Sequence, residues 1–457
     1  MRTLARSIHS MHTLPRSLQE SGRVGWVGII EAHGLPAMPS SSIPKLVPQK
    51  FGLTEQWAAK RFFEANGYVV LTGTGPANYD KFYAECADIL NNNGQDWRKV
   101  MKVPKKNRFE DYLPTFNADD FRPGGRAHSV NHKNLRNGAF FHSGFGAPCS
   151  GTSFNGHDQW AQRGNAPLRE MAARLAGVDD VRNIIAMADR KFIKFHEAGA
   201  EEFVHVDLNG KCLTQPRSGH EGLQGKFMVS KGSFLMSAGS HKMTTDDWAK
   251  YVNADKIPRG DKFSIDKKHD PCQLWAQQTL VMLEPGDLIL WSPYLVHGVL
   301  KNKSGHAALG WYISFNVKPS ADAPRKDQEA FSQRVGDMLR SWLTGDRPDC
   351  FPSGDKVHTY PARYKNFPKM LEAKMSVMHH DHPNWRFFTR VNGKNETVPD
   401  VTWVPSADYV PPPIEEWLYN FMLENVSPLH EFPGHDPEVL LENAQDSVLG
   451  KRPREED

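Results

Sequence analysis

The stretch FIKFHEAGAEEFVHVD, residues 192–207, decides how the rest of the chain is read. Two apolar runs flank an acidic, Gly-containing loop, and the second run closes on a histidine and an aspartate one residue apart. Side chains at i and i+2 of an extended chain point to the same face, so His205 and Asp207 can converge on one atom. A third group stands at His297 in VMLEPGDLILWSPYLVHGV, residues 281–299, where an apolar strand, a Pro-Gly-Asp turn, a second apolar strand and a histidine follow one another. Two imidazoles and a carboxylate form the facial set that suits non-heme iron(II), with positions left open for oxygen and a cosubstrate. His205, Asp207 and His297 are therefore the expected metal ligands.

Outward from these runs, the chain between Ile184 and Val317 is a series of short segments rich in β-formers: IIAMA, KFIKF, FVHVD, KFMVS, SFLMSAG, TLVML, LILW, LVHGV and GWYISFNV. Turn residues break them at short intervals, which predicts a sandwich or barrel. Helices are expected around this core. LTEQWAAKRFFEANG has apolar residues at helical spacing, with Thr54 as cap and Gly67 as stop, and APLREMAARLAG ends at Gly177. TTDDWAKYV has an acidic opening suited to a helix N-terminus. QEAFSQRVGDMLRSWLTG and PPPIEEWLYNFMLENV follow the core.

The 457 residues carry 56 Lys and Arg against 53 Asp and Glu. That balance offers no groove for nucleic acid and no attraction to an anionic membrane, and no apolar run is long enough to span a bilayer. Five scattered cysteines without a C-x-x-C pair indicate a reducing, intracellular compartment and no structural zinc. The cytoplasm is the expected location. The acid-free, Arg-containing MRTLARSIHSMHTLPRSLQ would suit a mitochondrial address, and GKRPREED a nuclear one. The expected division is an extension at 1–52, a catalytic domain at 53–320 and a Pro- and aromatic-rich extension at 321–457, the last a candidate cover for the pocket or a surface for a homo-oligomer.

Over roughly residues 53–317 the motifs resemble the phytanoyl-CoA dioxygenase (PhyH-like) family of iron(II)- and 2-oxoglutarate-dependent oxygenases. LTEQWAAKRFFEANGYVVL is similar to the family's opening helix and strand, and APLREMAARLAGVDDV to the helix before its core. KFHEAGAEEFVHVD resembles its lysine, loop and H-x-D segment, FLMSAGSHK its Gly-Ser-His-Lys turn, and LEPGDLILWSPYLVHGVLKNKS its distal-histidine hairpin. The resemblance implies a mainly β fold with flanking helices, a double-stranded β-helix (jelly-roll, cupin-like) core. It also implies iron bound by His205, Asp207 and His297, 2-oxoglutarate on the metal, and O2-driven hydroxylation or oxidation of a small or medium organic substrate. Trp291, Trp311 and Phe315 are candidate pocket walls.

The chain departs from the family where an arginine is expected about eleven residues after the distal histidine, to pair with the far carboxylate of 2-oxoglutarate. Ala308 stands there, and Val299 replaces a hydroxyl-bearing residue. A buried carboxylate without a cation is costly, so the charge must come from elsewhere. Lys194, on the strand before the triad, is the first candidate. Lys303 and His306 flank the vacant position, and Lys226 and Arg217 lie in or near adjacent strands. Three readings stay open: an iron and 2-oxoglutarate oxygenase, an iron oxygenase that does not use 2-oxoglutarate, and a jelly roll without catalysis that serves binding or regulation. HHDHP, with His379, His380 and His382, is read as surface, and Cys212 as a small packed residue.

Overall fold

The computed structural model describes residues 43–92, 116–129, 155–187, 189–196, 203–217, 222–252, 262–300, 302–345, 385–386, 402–403, 410–426 and 437–449. Two facing sheets form the core. Their strands, in chain order, are β1 (Lys45–Leu46), β2 (Lys50–Phe51), β3 (Tyr68–Leu71), β4 (Ile184–Met187), β5 (Lys191–Lys194), β6 (Phe203–Val206), β7 (Leu223–Met228), β8 (Gly232–Met236), β9 (Phe263–Ser264), β10 (Thr279–Leu283), β11 (Leu288–Trp291), β12 (His297–Val299) and β13 (Ala308–Val317). The first sheet runs β1-β10-β8-β12-β6-β9; the second runs β2-β3-β11-β7-β13-β4, with β5 also paired to β13.

From β5 onward the chain changes sheet at almost every turn: β5, β7, β11 and β13 lie in the second sheet, and β6, β8, β10 and β12 in the first. This alternation makes the core a double-stranded β-helix. It also corrects the expected distal-histidine hairpin. The turn at Pro285-Gly286-Asp287 does not pair its flanking strands but carries the chain from one sheet to the other. Gly286 takes the left-handed φ of 88° that this corner needs, and the Asp287 carboxylate fastens it by accepting from the Glu284 N–H at 2.7 Å and pairing with Lys50 at 2.7 Å.

The side-chain period of two sorts β13 cleanly. Leu309, Trp311, Ile313 and Phe315 point outward into a core shared with α1 (Gln56–Asn66), α2 (Asp80–Asn92) and α4 (Ala166–Ala176), the last following α3 (His157–Arg163). Ala308 and Tyr312 point inward with Phe192, Met228, Phe234, Met236 and Trp291. Because both faces are covered, the central strands read as continuous apolar runs rather than alternating ones. The predicted helix stops hold: Gly67 and Gly177 both adopt left-handed backbone, φ 80° and 70°. Thr54 does not cap α1; Glu55 occupies that position, and its carboxylate turns back to accept from the Gly52 N–H at 2.7 Å.

Described segments on both sides of the β-rich centre pack onto this core. β1 adds in parallel to β10 and β2 to β3, so ordered structure reaches back into the segment expected to be an extension, because the edges of both sheets offer unpaired backbone groups. After β13, α5 (Arg325–Thr344) and α6 (Glu416–Asn425) pack against Ile185 and Met187 of β4 and against Trp160 of α3. In the β4–β13 register Ile185 and Met187 lie opposite Asn316 and Ser314, on the inward-facing parity of the sheet. The C-terminal helices thus cover the inner face of the second sheet where the first sheet does not extend over it. Trp342 is fully buried there and its indole N–H donates to the Pro412 carbonyl at 2.8 Å.

Candidate metal centre

His205 and His297 face each other because β6 and β12 pair antiparallel with these two residues in direct register. Their rings lie 4.4 Å apart between centroids. Asp207, one residue past the end of β6, has the same parity as His205. Its carboxylate oxygens lie 3.4 Å from Nε2 of His205 and 3.6 Å from Nε2 of His297. One ligand atom from each of the three residues lies within 4.8 Å of the others. Among the described residues this is the one His/Cys/Asp/Glu group so arranged.

The surroundings prepare these groups to hold a cation. His297 Nδ1 lies 2.9 Å from the Leu295 carbonyl. That oxygen can only accept, so Nδ1 carries the hydrogen and the Nε2 lone pair points into the site. Asp207 Oδ2 accepts from the Gln224 amide at 3.1 Å, and Gln224 in turn accepts from the Trp291 indole at 2.8 Å. Trp291 and Phe234 lie against the His297 ring, at 5.4 and 5.6 Å. Burial, and then the nearby His297, lower the pKa of His205 to about 4. Burial alone would raise Asp207, but the two histidines beside it hold it well below the ordinary carboxylate range. At neutral pH the set is a carboxylate with His205 unprotonated, the form a divalent metal requires. Donor types and mutual distances fit a divalent cation such as iron(II).

The inner wall of the second sheet bears two lysines. Lys194 lies directly across from Ala308 in the β5–β13 register, and its ammonium donates to the Leu300 carbonyl. Lys226 lies across from Tyr312, donates to the Ser233 carbonyl at 3.3 Å and sits 4.6 Å over the Phe192 ring. Burial, together with repulsion from Lys226, lowers Lys194 to about 7, and burial lowers Lys226 to about 8. Burial raises the phenol of Tyr312 above its usual range.

Other expected positions fall elsewhere. Trp311 and Phe315 do not line the site: their odd parity on β13 turns them outward, where Trp311 stacks on Phe227 at 4.3 Å and donates to Gln162 at 2.6 Å. Trp291 does face it. Lys303 and His306 are exposed in the loop before β13, so neither reaches the inner wall. Arg217 donates to the carbonyls of His241 and Met243 and lies 4.1 Å over Tyr294. The Cys212 thiol donates to Asn209 at 3.3 Å. His379, His380 and His382 lie outside the described residues. Gln224 was missed by sequence reasoning. The available signal was the pair Gln224 and Lys226, two polar residues at spacing two in an otherwise apolar strand.

The jelly roll thus places between its sheets a His-Asp-His group that could hold a metal ion. Residues 225–308 match the family model for phytanoyl-CoA dioxygenase (PhyH), a segment that contains His297 and stops short of the H-x-D pair. Over that segment the chain resembles the family. No curated protein matches the whole sequence significantly. Among solved structures, AviO1 from Streptomyces viridochromogenes Tue57 is similar over 59% of this chain and 98% of its own, at 14% identity and TM-score 0.32. The epimerase SnoN, solved with Fe3+, alpha ketoglutarate and nogalamycin RO, is similar over 58% and 84%, at 14% identity and TM-score 0.33. EctD from S. alaskensis is similar over 62% and 86%, at 17% identity and TM-score 0.33. Among the described residues no helix is long and apolar enough to cross a membrane.

Proposed function

We propose that the protein is an iron(II)-dependent dioxygenase that uses 2-oxoglutarate to hydroxylate or oxidise a small or medium organic substrate. The observation that carries this reading is the triad itself, three ligand atoms within 4.8 Å on paired strands. Iron(II) held by His205, Asp207 and His297 would supply O2 activation coupled to decarboxylation of the 2-oxo acid. The protein's own part is positional. Leu295 fixes the tautomer of His297, Gln224 holds the Asp207 carboxylate, and Trp291 and Phe234 keep water from the imidazole. Lys194, on the strand directly opposite Ala308, would supply the positive charge that the family's arginine otherwise provides.

Ala308 also favours a second reading, an iron oxygenase in which another oxo acid or the substrate itself fills the open positions. Anaerobic titration of iron(II)-loaded protein with 2-oxoglutarate separates the two by the metal-to-ligand absorption band. The first reading expects a saturable band that Lys194→Ala weakens. If iron binds without a band, 2-oxoglutarate use is refuted, and if iron does not bind, the oxygenase reading itself falls.

A further inference from the structure

The two half-buried lysines reach from different strands toward the same place. Lys194 on β5 and Lys226 on β7 both project from the inner wall of the second sheet across the sandwich to carbonyls of the first. Those carbonyls belong to Leu300, just past β12, and Ser233 of β8. β8 and β12 pair with His297 opposite Met236 and Gly298 opposite Leu235, and continuing that register brings Leu300 beside Ser233. The ammoniums therefore converge a few residues along the β12 strand from His297.

The placement of the half-buried Lys226 demands an account. Its base is inside the sandwich, opposite Tyr312 and against the Phe192 ring. Among the described residues no carboxylate pairs with it, and a carbonyl at 3.3 Å with a ring face is thin compensation for a desolvated ammonium. A long apolar residue would fill the same space at lower cost. Placing a second cation beside Lys194 adds repulsion, which acts after the larger effect of desolvation to lower the proton affinity of Lys194. Two like charges held together between the sheets at such cost suit an incoming anion that neutralises both.

We infer that Lys226 is a second binding residue for the cosubstrate, forming with Lys194 a two-strand ammonium clamp on the far carboxylate of a 2-oxo dicarboxylic acid. This rests on the 2-oxo acid reading above. An arginine grips a carboxylate with one planar fork from one strand; here two point charges from β5 and β7 bracket it, with the small Ala308 directly across from Lys194. The clamp gives selectivity for 2-oxo acids with a second carboxylate over those ending in a methyl group.

The test compares 2-oxoglutarate with 2-oxopentanoate, which has the same chain length and no far carboxylate. Both are titrated anaerobically into the iron(II)-loaded full chain, native and Lys226→Met, by the metal-to-ligand band. Loss of one charged hydrogen bond predicts that Lys226→Met weakens 2-oxoglutarate by about 10- to 100-fold and leaves 2-oxopentanoate unchanged. A variant that keeps the native selectivity overturns the clamp while leaving the cosubstrate reading intact; a native protein that binds iron but shows no band with either acid overturns the reading beneath it. Should Lys226→Met fail to fold, the native protein still decides: its preference for 2-oxoglutarate must shrink between pH 7 and 9 as the lysines lose charge, and a constant preference refutes the clamp.

Discussion

An arginine stays charged at every pH a protein survives, whereas Lys194 and Lys226 titrate near neutrality, so cosubstrate affinity should depend on pH. The sign follows from linkage. The bound carboxylate favours the protonated ammonium, so binding takes up protons above the free-site pKa values and affinity falls as pH rises. With Lys194 at about 7 and Lys226 at about 8, moving from pH 7 to 9 lowers the protonated fraction of Lys226 by about 10-fold. If both charges are required, the joint fraction falls by about 500-fold. The other groups on this wall stay constant through the window. Tyr312, raised by burial, remains a neutral phenol, and Arg190, 5.0 Å over that ring and paired with Asp189 at 2.8 Å, remains a cation. The assay is 2-oxoglutarate affinity at half-unit steps from pH 7 to 9, with calorimetry in two buffers of different ionisation enthalpy to count protons. An affinity that changes by less than about 3-fold over this range, with no proton uptake, would refute the reasoning.

Other consequences are equally direct. Iron(II) should raise the melting temperature of the native protein and not that of His297→Ala, since only a folded triad binds it; an equal shift in both would show that the metal sits elsewhere. Gln224→Leu, which removes the amide that holds Asp207, should weaken iron affinity about 10- to 100-fold while the fold persists, checked by competition with a chelator. Ala308→Arg alone places a guanidinium directly across from Lys194 and should destabilise the fold, and adding Lys194→Ser should restore the melting temperature and 2-oxoglutarate binding. Gly310→Ala should cost about 1–3 kcal/mol or more in chemical denaturation, because its Cβ would lie 2.0 Å from the Phe227 carbonyl oxygen.

Local pattern carried much of this into the sequence. The nine segments from IIAMA to GWYISFNV are strands, and strand parity puts the H-x-D pair on one face, whereas His297 meets it only through the long-range pairing of β6 with β12. The sheet assignment was not legible, because a turn such as Pro285-Gly286-Asp287 looks the same whether it closes a hairpin or crosses a sandwich. Trp311 and Phe315 show the same limit. Both faces of β13 are buried, so apolar character does not say which side meets the site; only the register with β5 and β7 does. Lys194 was found by its place before the triad, but its position opposite Ala308 depends on pairing between strands more than a hundred residues apart.

The helix Arg325–Thr344 lies beyond the segment that resembles the family, yet its apolar side rests on the same sheet that carries the lysines. The smallest autonomous piece of this molecule is therefore larger than its recognisable motif. A fragment cut after Val317 would expose Ile185, Met187 and Trp160 together, an adhesive surface in any expression host. Insertions or substitutions that shift Met338 or Trp342 would also be felt at β4 and, through its neighbour β13, at Tyr312 on the inner wall. Lineages that lengthen or trim this tail can thus shift the inner wall without altering His205, Asp207 or His297.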